Sequence, residues 1–119
     1  MSDLRDLLGL TAALAADFYD SLPDRRVFPS ATADELRAAF VRQLPEGPTD
    51  PRVVVSELNA AADPGLVAEP SGRYFGFVIG GSLPGALAAD WLATAWDQNA
   101  GSTSVGRRRP SSRRSQARG

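Results

Sequence analysis

The side chains that could do chemistry in this chain are carboxylates, hydroxyls, two tyrosines and arginines. Its 119 residues include no histidine, no cysteine and no lysine. Histidine is the usual general base, and an arginine keeps its proton at usable pH, so it cannot form a Schiff base or attack as an amine. The composition therefore excludes disulfides, thiolate zinc sites, thiol nucleophiles and Schiff-base formation by the chain itself.

Charge is unevenly distributed along the chain. Residues 1–106 carry all fourteen acidic side chains and seven arginines, a net charge of −7, whereas residues 107–119 carry six arginines and no acid. A basic tail can bind nucleic acid through its phosphates. No aromatic residue is interleaved in this tail for base stacking, so the sequence does not favour a selected nucleic-acid role.

Helical spacing of apolar residues predicts three helices in the first half of the chain. The first runs from Ser2 to about Leu22 and is followed by a proline-containing linker over residues 23–29. The second begins at Thr32, which forms a Thr-x-x-Glu capping box with Glu35, and its apolar stripe extends to Leu44.

The third predicted helix has Asp50 as its cap and Pro51 at its first position, where proline is best tolerated. A turn at residues 63–65, Asp-Pro-Gly, ends this helix. Its buried face is expected to comprise Val54, Val55, Leu58 and Ala62.

The second half of the chain changes character. Tyr74 to Ile79 is a short aromatic and β-branched run that predicts a strand or extended segment. A helix then follows from Ser82 and Pro84 to about Asn99, and it is apolar on most sides, so it requires a partner surface. Residues 102–119 show no apolar periodicity and are expected to be disordered. The predicted fold is mostly α, and no apolar stretch is long enough for a membrane span or signal peptide, which predicts a cytoplasmic protein without membrane association.

The stretch over residues 71–92 reads SGRYFGFVIGGSLPGALAADWL, and residues 96–100 read WDQNA. This region resembles the N-terminal region of group II pyridoxal-phosphate-dependent decarboxylases. These are the relatives of aromatic-amino-acid and glutamate decarboxylases. Two upstream segments also look like that region of the family: residues 22–29, LPDRRVFP, and the segment from Leu44-Pro45 to Asp50-Pro51. The resemblance covers residues from about 10 to 101.

The resemblance implies the N-terminal helical arm of a fold-type-I enzyme, which is a homodimer with active sites at the subunit interface. The arm packs on the partner subunit. The resemblance also implies that Tyr74, Phe75 and Phe77 lie near the substrate side-chain pocket, with Gly80 and Gly81 lining its entrance. The alternative is that the phenylalanines are ordinary core residues and the two glycines a turn.

In the family, the cofactor-binding lysine, the histidine that stacks on the pyridine ring, the aspartate that pairs with its nitrogen and the phosphate loop all lie downstream of this region. Asp90 and Asp97, on the last predicted helix, are interpreted as solvated or N–H-bonded helix residues. The resemblance therefore implies a truncated fragment that binds no pyridoxal phosphate and has no catalytic residue or activity of its own.

The tail departs from the family pattern after Gly101, where the family continues into an Ala/Val/Glu-rich helix. With GC-rich codons, a shifted reading frame across residues 107–117 would encode an alanine run followed by Val-Val-Glu-Glu-Val-Ala. We therefore expect residues 1–101 to be a decarboxylase-like segment and residues 102–119 to be a frameshift product. Two other hypotheses remain open: a small helical module that binds a protein partner, and weak nucleic-acid binding through the arginine tail.

Overall fold

A computed structural model describes residues 2–77 and 80–98 of the chain. Over these ranges it contains helices and turns and no strand. The helices are α1 (Ser2–Ser21), α2 (Ala33–Phe40), α3 (Pro51–Ala62) and α4 (Pro84–Trp96), and a single 3-10 turn (Asp63–Gly65) follows α3. The prediction of a mostly α fold is confirmed.

The helix α1 begins and ends within one residue of its predicted limits. One side of it, which includes Leu7, Leu10 and Leu14, is half-buried and α1 contacts α3. On its flank, Leu4 and Leu8 are 55% and 47% exposed. The apolar stripe is therefore wider than the neighbouring elements of this chain cover.

The helix α2 begins at the predicted capping box. The backbone N–H of Glu35 donates to Thr32 Oγ1 over 3.2 Å, and the backbone N–H of Thr32 donates to Glu35 Oε2 over 2.7 Å. This reciprocal pair satisfies two N–H groups that the first turn of a helix cannot bond internally.

The prediction that the stripe of α2 extends to Leu44 is wrong, because the helix ends at Phe40 and Leu44 is 92% exposed. Two features explain the early end. Pro45 disfavours a helical conformation for the residue before it. In addition, the extended segment after Val41 places the Arg42 guanidinium 2.6 Å from Glu57 of α3, an ion pair that holds it beside that helix.

The helix α3 begins as predicted, with Pro51 at its first position and the Asp50 carboxylate accepting from the N–H of Arg52 over 2.9 Å. That N–H lowers the pKa of Asp50. The predicted buried face is only partly correct. Val55 and Ala62 are half-buried, but Val54 and Leu58 are 49% and 56% exposed.

The flank that carries Val54 and Leu58 stays open because the helical elements in close contact with α3 are α1, α2 and the following 3-10 turn. Because these three elements surround only part of α3, they cannot bury an apolar stripe that extends further around the helix. The sequence pattern correctly marks these residues as apolar, but it does not reveal whether the same chain covers them.

The sequence predicts a strand or an extended segment over Tyr74 to Ile79, and no strand is observed in the described part. Tyr74 and Phe75 have no regular secondary structure, residues 76–77 form bends, and Val78 and Ile79 lie outside the described residues. The short spacing of glycines at Gly72 and Gly76 favours turns, and a strand requires a partner strand for its backbone hydrogen bonds.

The core of the described residues lies at the C-terminal end of α1. Leu22 and Ala68 are the two buried apolar residues there, with 8% and 0% of their surface exposed. The linker after α1 is joined to the segment after α3 by backbone hydrogen bonds. Ala68 donates to the Val27 carbonyl over 2.8 Å, and Ser30 and Ala31 donate to the Pro64 carbonyl over 3.0 and 3.1 Å.

The chain divides into two compact units, Met1–Gly81 and Ser82–Gly119. In the second unit, α4 has Pro84 at its first position but no side-chain cap. It ends at Trp96, and the C-cap residue Asp97 adopts the left-handed conformation with φ 47°. This end precedes the predicted one near Asn99, which lies outside the described residues, as does the predicted disordered tail. No helix in the described ranges is long and apolar enough to cross a bilayer.

We predict that acid loosens the first turn of α2. Hydrogen bonds from Thr32, first from its backbone N–H and then from its side chain, lower the pKa of Glu35. A carboxylate whose pKa is lowered by folding stabilises the folded state above its unfolded pKa, and that contribution is lost as pH falls through the folded pKa. The Cα chemical shifts of α2, followed by NMR during acidification, should therefore move toward coil values as pH falls through the pKa of Glu35 in the folded state.

The Glu35→Gln variant keeps an acceptor but has no titrating group at position 35, so its α2 shifts should change much less over the same range. Thr49→Ala, a change in the loop before α3, serves as a matched control and should leave the acid response of α2 intact. An unchanged acid response in Glu35→Gln would contradict the assignment of that response to the capping box.

Candidate functional site

The five site residues predicted from the sequence surround one surface depression of about 420 Å³ in the first unit. Phe75 and Phe77 are 92% and 87% exposed, so the alternative that they are core residues is wrong. The lining also contains residues that the sequence did not single out. The full set is Glu69, Pro70, Ser71, Gly72, Tyr74, Phe75, Gly76, Phe77, Gly80 and Gly81.

Successive turns shape this depression. Ser71 donates its N–H to the Ala68 carbonyl over 3.0 Å, and Tyr74 donates to the Ser71 carbonyl over 3.2 Å. Ser71 also accepts from the Arg73 N–H through its hydroxyl. At the far side, Gly80 has a φ of 87°, which L side chains rarely adopt, so glycine is required at this position.

Tyr74 is the half-buried aromatic residue of the depression. Its ring lies edge-on to Phe28, with 6.4 Å between the ring centroids. It also lies across the backbone of Gly76, so that a Cβ at position 76 would overlap the tyrosine hydroxyl and approach Cε2 to 2.8 Å. The tyrosine is therefore held between the linker and the Gly76 backbone, whereas the two phenylalanines project into solvent.

Two arginines connect this region with the end of α1. Arg73 Nη2 donates to the carbonyls of Leu22 and Arg25 over 2.7 and 2.6 Å. The Arg25 guanidinium lies 4.8 Å from the centre of the Phe18 ring and 2.9 Å from Asp63 Oδ1. Its side chain is only 15% exposed, which makes it the better shielded partner in that ion pair.

Local patterns in the sequence do not indicate the contacts of Arg25 and Arg73 or the place of Glu69 in the lining. One signal could have pointed to the arginines: α1 has no basic residue in its last turn, and Asp20 lies there instead. A helix C-terminus carries partial negative charge, so cations that lie near it are favoured even when they come from elsewhere in the chain.

The depression offers aromatic and glycine surfaces with a few polar groups, those of Glu69, Ser71 and Tyr74. Such a surface can contact an apolar side chain of a ligand. It does not fit pyridoxal phosphate, because the chain has no lysine for a Schiff base and the depression is lined by a carboxylate rather than by cationic groups for a phosphate. The described residues contain no cluster of three potential metal ligands.

Asp90 and Asp97 belong to the second unit. Asp90 is exposed on α4, and the backbone N–H of Asp97 donates to the Ala93 carbonyl at the end of this helix. Both residues are exposed, in agreement with their interpretation as solvated, but Asp97 is the C-cap that follows α4 rather than a residue of the helix.

Comparison with known proteins finds no matching family model, curated protein or solved structure.

We predict that Gly76→Ala displaces the Tyr74 ring. The added methyl group would overlap the ring, and the backbone at position 76 cannot yield as easily as the side chain. The ring resonances of Tyr74 should lose their contacts with Phe28, measured as nuclear Overhauser effects in the full chain. Gly72→Ala is the matched control, because a Cβ at position 72 meets no atom within 4 Å. Preserved contacts between Tyr74 and Phe28 in Gly76→Ala would contradict this packing.

Proposed function

We propose that this chain is the N-terminal helical arm of a group II pyridoxal-phosphate-dependent amino-acid decarboxylase, separated from the domain that carries out the chemistry. In this role it supplies contacts to a partner subunit of a homodimer and part of a substrate wall. It is not catalytically competent alone. The parent enzyme uses pyridoxal phosphate and an amino-acid substrate.

The observation that carries this proposal is the contrast between the apolar surface and the buried core. Leu22 and Ala68 are the buried apolar residues of the described ranges, yet long apolar side chains remain exposed on every helix. Fully burying one Leu, Val or Phe side chain contributes about 1.5–3 kcal/mol. A chain that leaves so many apolar side chains exposed does not gain most of the stabilisation that their burial would contribute. This supports an arm whose faces are covered by another protein surface.

Exposed apolar side chains occur in both units. In the first unit they follow the flanks of α1 and α3 and the segment after α2. In the second unit, α4 has a single charged residue, Asp90, and Leu92 and Trp96 are 50% and 62% exposed. Exposed apolar patches of this kind are typical of surfaces that bind other proteins.

The depression at residues 69–81 supports the substrate-wall part of the proposal. A ligand site usually combines an apolar lining with a small number of polar groups, and ligand pockets range from about 300 to 1,000 Å³. The depression has such a lining at about 420 Å³. Its open side exposes Phe75 and Phe77, so a complete pocket requires residues from the missing domain or a partner subunit.

A second candidate function rests on the same exposed faces: a small helical module that binds a protein partner without any enzymatic parent. The two candidates differ in the coding DNA. An arm separated by a frameshift leaves the remaining enzyme in another reading frame, whereas an interaction module does not.

We predict that the DNA beyond codon 101 contains an open shifted frame that encodes a lysine-bearing, pyridoxal-phosphate-binding domain. The protein expressed from the restored frame should show the visible absorbance of bound pyridoxal phosphate and release carbon dioxide from an amino acid. Phe75→Ser in this protein should raise KM, because the aromatic wall would be lost, while the control Gln43→Ser, at an exposed polar residue after α2, should leave KM unchanged.

The absence of such a frame in the resequenced DNA would contradict the decarboxylase proposal and favour the interaction module. A restored protein that fails to bind pyridoxal phosphate would contradict it as well.

A further inference from the structure

The segment that carries the exposed phenylalanines is attached to the end of α1 by a small group of contacts. Arg73 Nη2 donates to the Leu22 and Arg25 carbonyls, Tyr74 lies edge-on to Phe28, and Ala68 donates its N–H to Val27. All of them join the linker over residues 22–28 to residues 68–74, and the contacting residues are 41 (Val27 and Ala68) to 51 (Leu22 and Arg73) positions apart.

The linker carbonyls are fixed to α1 itself. The N–H of Leu22 donates to the Tyr19 carbonyl over 3.2 Å, and the N–H of Arg25 donates to the Ser21 carbonyl over 2.8 Å. The Ser21 hydroxyl accepts from Arg25 Nη1 and donates to the Phe18 carbonyl. Any displacement of the last turn of α1 therefore also displaces the two carbonyls that Arg73 binds.

The aromatic loop, defined as residues 75–77, follows directly on Tyr74. Its two phenylalanines are almost fully exposed, so side-chain packing does not fix their position. The position of the loop is set by the residues before it, Arg73 on the helix end and Tyr74 between Phe28 and the Gly76 backbone.

We propose that Arg73 and Tyr74 form a latch that transmits movement of the α1 helix end to the aromatic loop. A protein surface that docks on α1 and shifts its last turn would then reposition Phe75 and Phe77 as well. Arg73 is a positioning residue in this device. The inference uses contacts within the chain only and does not depend on the proposed enzymatic parent.

The chemistry of arginine suits this task. One guanidinium nitrogen has two hydrogens in a fixed planar arrangement, so Arg73 Nη2 can donate to both carbonyls at once. Its positive charge also faces the negative end of the α1 dipole, where α1 provides no basic residue of its own. A neutral side chain at position 73 loses both the charge and the double donation.

The test uses NMR of the full chain to measure whether a small structural change at the end of α1 alters the amide resonances of the aromatic loop. Ser21→Ala removes the hydroxyl that holds Arg25 and introduces no aromatic ring that could shift distant signals directly. In the otherwise unchanged chain, we expect Ser21→Ala to shift the amide resonances of residues 75–77. In an Arg73→Gln background, the same change should shift them much less, because only the Tyr74 and Ala68 contacts remain.

Arg52→Gln is the matched control, because Arg52 is an exposed arginine at the start of α3 and should leave the propagated shift intact. Unchanged α3 amide shifts show that the Arg73→Gln chain still folds. If that variant unfolds, Arg73→Lys carries the test, since it keeps the charge and should retain part of the propagated shift.

Two results would overturn the latch. One is that Ser21→Ala leaves residues 75–77 unshifted while Arg73 is present. The other is that the shift at these residues is equally large with glutamine or lysine at position 73 as with arginine, which would mean that the disturbance takes another route.

Discussion

The first unit depends on the contacts that two arginines, Arg25 and Arg73, make at the C-terminal end of α1. The carbonyls and the dipole of α1 both favour cations at this end, but the last turn carries Asp20 and no basic residue. The chain supplies Arg25 from just beyond the helix and Arg73 from 51 positions downstream of Leu22. The linker and the segment after α3 consequently converge at this point, and the buried residues Leu22 and Ala68 lie there.

This convergence organises the first unit around one helix end rather than around a broad apolar core. The stabilising contacts are polar and local: a capping box, an Asp-Pro start, and arginine contacts with carbonyls and with Asp63. The helix faces, in contrast, keep much of their apolar surface exposed. In a chain built in this way, polar contacts set the geometry of the first unit, while the apolar surface stays available to another protein, which supports the proposed role.

Local signals in the sequence were sufficient for the helix starts. Thr32 with Glu35 and Asp50 with Pro51 act within three residues of each other, so their pattern determines their structure directly. The end of α2, the exposure of Val54 and Leu58, and the absence of a strand at residues 74–77 depend instead on which neighbours are present. Spacing along the chain contains little information about such neighbours.

The same distinction between local signals and distant neighbours applies to the candidate site. Tyr74, Phe75, Phe77, Gly80 and Gly81 are close in sequence, so a shared depression could be anticipated, and what it binds stays a prediction. The contacts that hold this depression to α1 could not be anticipated, because Arg73 binds carbonyls far from it in sequence and any arginine can make such a contact.

The apolar flanks of the helices are expected to associate with a second copy of this chain when no other protein surface is present, and sedimentation velocity over a range of concentrations tests this most directly. We expect the chain to self-associate as concentration rises, and a Leu4→Glu, Leu8→Glu variant to associate much less, since two charges would enter the apolar flank of α1. Ala13→Glu, exposed about 180° around the helix from Leu4, should associate like the unchanged chain. Two results would contradict this expectation: a chain that remains monomeric at every concentration, or a Leu4→Glu, Leu8→Glu variant that associates as strongly as the unchanged chain.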